Sequence, residues 1–176
     1  MHALLKMLSG GDRRSIGQSN RVASMIIDEP DLFSILFDGL ATTDPVLRMR
    51  CADAAEKVTA CHPEYLLPFK KVLLEKLSMD EQQEIRWHVA PMLARLPLSK
   101  VEEDRVVNIL LGYTNDRSSI VKTTAMQALA DMALRSKRLC PDVLQHIQEL
   151  TVIGTPAMKA RGRILEVRLS KLCKKA

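Results

Sequence analysis

Apolar residues recur along this chain at the interval of an α-helix, and the same arrangement comes round four times. The apolar-cation pairs Leu47-Arg48, Ile85-Arg86, Val121-Lys122 and Met158-Lys159 stand 38, 36 and 37 residues apart. Behind each pair runs a stripe: Cys51, Ala54, Ala55 and Val58; then Val89, Leu93 and Leu96; then Ala125, Ala128, Leu129 and Met132; then Gly162, Leu165 and Leu169. Offsets of four, seven or eight, and eleven residues keep these positions on one face of a helix. Small residues dominate the stripes, so these helices are expected to approach their neighbours closely.

A second set of helices alternates with the first. Residues Asp31 to Leu40, Glu64 to Leu77, Lys100 to Tyr113 and Pro141 to Thr151 each carry an apolar stripe, with Phe33/Phe37 and Tyr65/Phe69 as i,i+4 pairs. Pro30, Pro63, Pro97 and Pro141 stand before or in the first turns of this outer set, where a missing amide costs least. Asp44, Asp80 and Asp116 suit the N-caps of the inner set. Asp12 suits the same role for a helix over residues 13–27, with Ala3 to Leu8 as the remnant of its partner. The reading is one all-α domain of about five helical pairs, at residues 1–28, 29–61, 62–97, 98–138 and 139–173. No pair can bury its stripes alone, so the pairs must stack on one another.

Composition narrows the chemistry. Aromatics make up 3% of the 176 residues, too few for a β-sandwich or a base-stacking platform. No glycine-rich phosphate loop occurs. The cysteines Cys51, Cys61, Cys140 and Cys173 lack a CxxC spacing, and no apolar run nears the roughly 18 residues of a bilayer span. Nothing near Met1 reads as a signal peptide. Free thiols and a cytoplasmic location are the expectation. Of the net charge of +5, residues 159–176 carry +6, leaving the other 158 at −1. Basicity therefore belongs to the last helix and its tail.

The strings DPVLRMRCADAAEKV (44–58), EIRWHVAPMLARL (84–96) and SSIVKTTAMQALADMA (118–133) resemble the HEAT repeat, and the resemblance extends over residues 10–170 or so. The chain looks like the small bacterial HEAT-repeat proteins. Two departures are visible: Ser15 stands where the first repeat would carry its cation, and Asp44 is four residues from Arg48, whereas Asp80–Arg86 and Asp116–Lys122 are six apart. The resemblance implies a right-handed α-α superhelix whose inner helices line a concave face. It also implies that the turn aspartates (Asp44, Asp80, Asp116) pair with the inner-helix cations (Arg48, Arg86, Lys122) of neighbouring repeats and fix the stacking. A phosphate-following ladder formed by Arg48, Arg86, Lys122 and Lys159 is the alternative.

Trp87 is the only aromatic of the inner set. It lies two positions past Ile85, which turns it about 200° from the stripe. On the concave face it would stand with His88 and Arg95, and Trp and Arg are common interface anchors. Pro91, in the same helix, removes one amide bond and is expected to bend it. Other off-stripe positions, Arg50, Asp53, Lys57, Thr124, Gln127, Asp131, Arg161 and Arg168, mix both signs, which fits a protein or peptide better than a polyanion.

The leading expectation is a non-catalytic scaffold binding a protein or peptide through Arg50, Trp87, His88, Arg95, Gln127 and Arg161. The alternative is a nucleic-acid-contacting module using Lys159, Arg161, Arg163, Arg168 and the tail from Lys171 to Lys175. More distant is likeness to HEAT-like alkylpurine DNA glycosylases, for which Trp87, Asp131 and Arg95 are a loose echo. The four histidines are scattered and none is followed by Glu, so the His-Glu pairs of iron-binding HEAT-repeat hydroxylases are missing. Cys61-His62 supplies only half a zinc site. No cofactor, metal, small-molecule substrate or membrane is indicated.

Overall fold

The computed structural model describes residues 1–12 and 14–174. Among them are ten α-helices and no strand: α1 Ala3–Leu8, α2 Ser19–Asp28, α3 Phe33–Leu40, α4 Pro45–Cys61, α5 Lys70–Glu75, α6 Gln83–Arg95, α7 Lys100–Tyr113, α8 Ser119–Arg135, α9 Cys140–Ile153 and α10 Pro156–Cys173. Short 3-10 turns occupy Pro30–Leu32, Pro63–Phe69, Leu77–Met79 and Lys137–Leu139. The chain divides into two compact units, Met1–Met92 and Leu93–Ala176, with the boundary inside α6.

The inner-helix stripes are the core. From Leu47 to Leu169, every apolar stripe residue named above is 3% exposed or less, and Gly162 is buried with them. In the first unit α4 packs against α1, α2 and α3. In the second, α10 lies on α9 and α8, and α8 also meets α7. Small residues set the spacing. A Cβ added at Gly39 of α3 would collide with the Cys51 sulfur of α4 and come 2.8 Å from Leu5 Cδ2. One added at Gly162 of α10 would collide with the Thr151 hydroxyl of α9. Phe33, Phe37, Tyr65 and Phe69 form one aromatic cluster, in which the rings of Phe37 and Phe69 stack with centroids 3.8 Å apart.

Helix starts follow the aspartates, with a shift. Asp44 caps α4, its Oδ1 accepting from the amides of Val46 (2.9 Å) and Leu47 (3.3 Å). Asp80 and Asp116 make the same bond to the residue two positions on, Gln82 (2.9 Å) and Ser118 (2.7 Å). Yet α6 and α8 begin only at Gln83 and Ser119. The two extra residues between aspartate and cation in these repeats lengthen the turn, so the aspartates stand ahead of the helix and do not cap it.

Three other expectations are corrected. Residues 64–77 are not one α-helix: Pro68 lacks the amide an α-helix needs, and Pro63–Phe69 takes the tighter 3-10 form before the six residues of α5. The helix expected over 13–27 begins at Ser19, with Asp12 instead accepting from the Arg14 amide at 3.0 Å; Arg13 lies outside the described residues. Gly17, at φ +55°, cannot belong to a right-handed helix. Finally, Cys140 and Cys173 are not free thiols. They form a disulfide across a Cα separation of 6.0 Å, joining the first residue of α9 to the last of α10, while Cys51 and Cys61 remain free. No helix is long and apolar enough to cross a membrane among the described residues.

The reason residues 9–12 and 14–18 stay outside a helix lies 30 to 40 residues away, in α4. Arg50 was expected on a binding surface; it is instead 4% exposed. Its guanidinium donates to the carbonyls of Ser15 (2.9 Å), Leu8 (3.0 Å), Gly10 (2.5 Å) and Asp12 (3.1 Å). Gly11 and Gly17 let the loop close around it: a Cβ at Gly17 would lie 2.9 Å from the guanidinium carbon. No carboxylate is needed, because the carbonyl dipoles solvate the charge.

Arg50→Ala should therefore lower stability by about 2–4 kcal/mol, since it orphans a set of inward carbonyls and frees α1. Urea unfolding measures it; limited proteolysis should then cut within residues 1–18 first. Arg50→Lys, with a single donor centre, should recover less than half. Reduction of Cys140–Cys173, which closes a 33-residue separation, should destabilise by about 4 kcal/mol. Melting with and without dithiothreitol checks this, and a Cys173→Ser variant should no longer respond to the reductant.

Candidate partner-binding surface

Off-stripe residues of the inner helices meet across neighbouring helices. In the first unit, Lys57 Nζ of α4 donates to Asn20 Oδ1 of α2 at 2.6 Å and to Asp53 Oδ2 at 2.5 Å. Asp53 Oδ1 in turn lies 3.9 Å from His88 Nε2 of α6. Asp53 and His88 are largely buried and Lys57 about one-third exposed. Trp87 is half-buried, its ring edge-on to His88 with centroids 5.8 Å apart. In the second unit, Gln127 of α8 bridges Asp131 (2.9 Å) and Arg161 of α10 (3.2 Å). Arg95 is half-buried in the last turn of α6. Of the six residues nominated for partner contact, Arg50, Trp87 and His88 thus belong to the first unit and Arg95, Gln127 and Arg161 to the second.

The stacking pairs are partly formed as expected. Arg48 makes an ion pair with Asp80, both side chains being less than one-fifth exposed, and donates to Gln82 Oε1 at 3.2 Å and to Leu40 O at 3.0 Å. Gln82 answers with a 2.8 Å bond to Pro45 O. Arg86 reaches back to the Asp80 carbonyl at 2.5 Å. One turn ahead of Lys122, the hydroxyls of Ser119 and Thr155 meet at 3.1 Å. On the outer helices Arg138 pairs with Glu103 and Asp104. Apart from the local bonds of Arg48 to Leu40 and Arg86 to Asp80, these bonds between elements join residues 32 to 37 apart, close to the interval of the sequence repeat.

Burial sets the electrostatics. Desolvation holds the His88 imidazole below its ordinary pKa, against the opposing pull of Asp53, Glu56 and Glu84. His146, half-buried with its Nε2 3.2 Å from Thr114 Oγ1, is lowered for the same reason. Burial, aided by the Asp44 charge, pushes the Cys51 thiol up to about 12, which suits an apolar filler and not a nucleophile. Among the described residues no three His, Cys, Asp or Glu side chains gather to hold a metal ion.

Two features escaped the sequence reading. One is the Arg50 clamp, whose only trace is the glycine-rich string at residues 10–17. The other is a cleft of about 510 Å³ in the first unit, floored by Phe37, Phe69, Leu40 and Leu77 and edged by the Arg48–Asp80 pair. On α10, Arg161, Arg163, Arg168 and Lys171 are exposed and Lys159 is half-buried; Lys175 lies outside the described residues. No family model, curated protein or solved structure matches this chain.

A histidine whose folded pKa lies below its unfolded value binds more protons when unfolded. Stability is then full above the unfolded value near 6.5 and declines as pH falls through it. Urea midpoints should drop between pH 7.5 and 5.5. His88→Asn should flatten that slope, by at most about 1.4 kcal/mol per pH unit. An unchanged slope would show that His88 is not held neutral.

Proposed function

We propose that this chain is a HEAT-like scaffold without catalytic activity, in which about five helical pairs stack as a right-handed superhelix and a protein or peptide binds along the inner helices. Side-chain bonds recurring at 32 to 37 residues support the stacking, because neighbouring repeats are what such an interval joins. The observation that carries the binding role is Trp87. It is the protein's sole tryptophan, half-buried on the side of α6 away from the Ile85 stripe, beside a polar ladder of both signs. A large ring held at one edge and open at the other offers apolar area with little ordering cost. Asp53 and Lys57 hold each other in place within the first unit, as Gln127 and Arg161 do within the second, so each pair would present fixed donors and acceptors to a guest.

The nucleic-acid reading draws on Arg163, Arg168 and Lys171, which are exposed. It is weaker, since Arg161 is engaged by Gln127 and the inner ladder mixes signs. Against a glycosylase, Asp131, the candidate acid, accepts a bond from Gln127. The exposed thiol of Cys61 favours a cytoplasmic location, where it would not pair with other chains. The Cys140–Cys173 bond is the opposing observation.

The test is titration of a partner, captured from cell extract, purified and labelled with fluorescein, with fluorescence anisotropy as the signal. Trp87→Ala should weaken binding about thirty-fold, the effect of a 2 kcal/mol anchor, without changing the circular-dichroism melt. The wild-type complex should survive several hundred millimolar salt. Affinity untouched by Trp87→Ala, or a steep log-linear loss with salt, would refute the reading.

A further inference from the structure

The outward face of α10 carries a second pattern, independent of the inner ladder. Measured at 100° per residue, the buried stripe Met158, Gly162, Leu165 and Leu169 points one way. Val167 and Ile164 point nearly the opposite way, and each is 57% exposed. Arg163 lies on one side of them and Arg168 on the other, while Lys171 stands one turn beyond Val167 on the same line, all three exposed. Among the described residues no carboxylate pairs with Arg163, Arg168 or Lys171. The face is thus an apolar pair with Arg163 and Arg168 at its edges and Lys171 at its end, on a helix of 18 residues held from behind by α8 and α9.

From this we propose that the outward face of α10 docks an acidic amphipathic helix of a partner protein. Its apolar residues would cover Ile164 and Val167, and its Glu or Asp residues would meet Arg163, Arg168 and Lys171. Two observations select this occupant. Branched apolar side chains at the centre of the strip would gain nothing from phosphates, and α10 has no aromatic residue on which a base could stack. Two apolar side chains are also too few for a helix to lie in a lipid interface, which takes a continuous apolar face. Helix-on-helix packing suits them, because it buries such a strip and leaves the flanking charges to set the partner's sign.

The experiment uses the full chain and a fluorescein-labelled synthetic peptide of about 20 residues, with leucines at i, i+4, i+7 and i+11 between rows of glutamate. Competitors are a shuffled peptide of identical composition, a mixed-sequence DNA duplex, and vesicles of phosphatidylserine and phosphatidylcholine. The patterned peptide should bind at least about tenfold more tightly than the shuffled one, and more tightly than duplex or vesicles. The variant Ile164→Ser/Val167→Ser should lose about tenfold or more, being solvent-facing and retaining its melting temperature. Arg163→Glu/Arg168→Glu/Lys171→Glu should reject the acidic peptide and bind its lysine-flanked counterpart, which a misfolded protein would not do. Trp87→Ala should leave peptide binding unchanged, which separates this surface from the inner one. Equal binding of the shuffled peptide, or preference for duplex or vesicles, would overturn the proposal.

Discussion

The stripes of α4 and α8 hold several alanines and that of α10 a glycine, and such positions can be buried only by close contact with neighbouring helices. An alanine or glycine covers little area by itself, so burial requires the backbones to come together, as at Gly39 against Cys51 and Gly162 against Thr151. That constraint explains why the stripe residues are uniformly sealed from water, and why side-chain bonds recur at the repeat interval. Once two helices are packed this tightly, polar groups beside the stripe are within reach of one another. Those groups then fix register, as Arg48 and Gln82 do with Asp80 and Pro45.

The polar side of the same helices divides into groups used by the fold and groups available to a guest. Arg50 belongs wholly to the fold: backbone carbonyls of residues 8–15 surround its charge, and the glycines permit their approach. Asp53, Lys57 and His88 are intermediate, tied to one another but reached by solvent at Lys57. Trp87 is half-buried, and its ring meets His88 edge-on.

Much of the architecture was legible because it is local. The stripes, the prolines at helix starts, the outer helix at Lys100–Tyr113 and the filler role of Cys51 all follow from helical periodicity and short-range sterics. The longer turn ahead of α6 was visible as a two-residue change of spacing, although its effect, aspartates that precede the helix without capping it, needed coordinates. By contrast, residues 14–18 read as helix because nothing nearby reveals that the Ser15 carbonyl faces a guanidinium of α4.

The amino-acid order alone determined most of the helical segments, which of their faces are apolar and where charge accumulates, since each depends on neighbours within a turn or two. Tertiary structure decided which charged side chains are internal and which face water, because that depends on residues 30 to 40 positions away. Arg50 and Arg163 have the same chemistry and both lie off their helix's stripe; one is enclosed by a distant loop and the other is exposed. The same holds for Cys140 and Cys173, brought together only when α9 and α10 pack along each other.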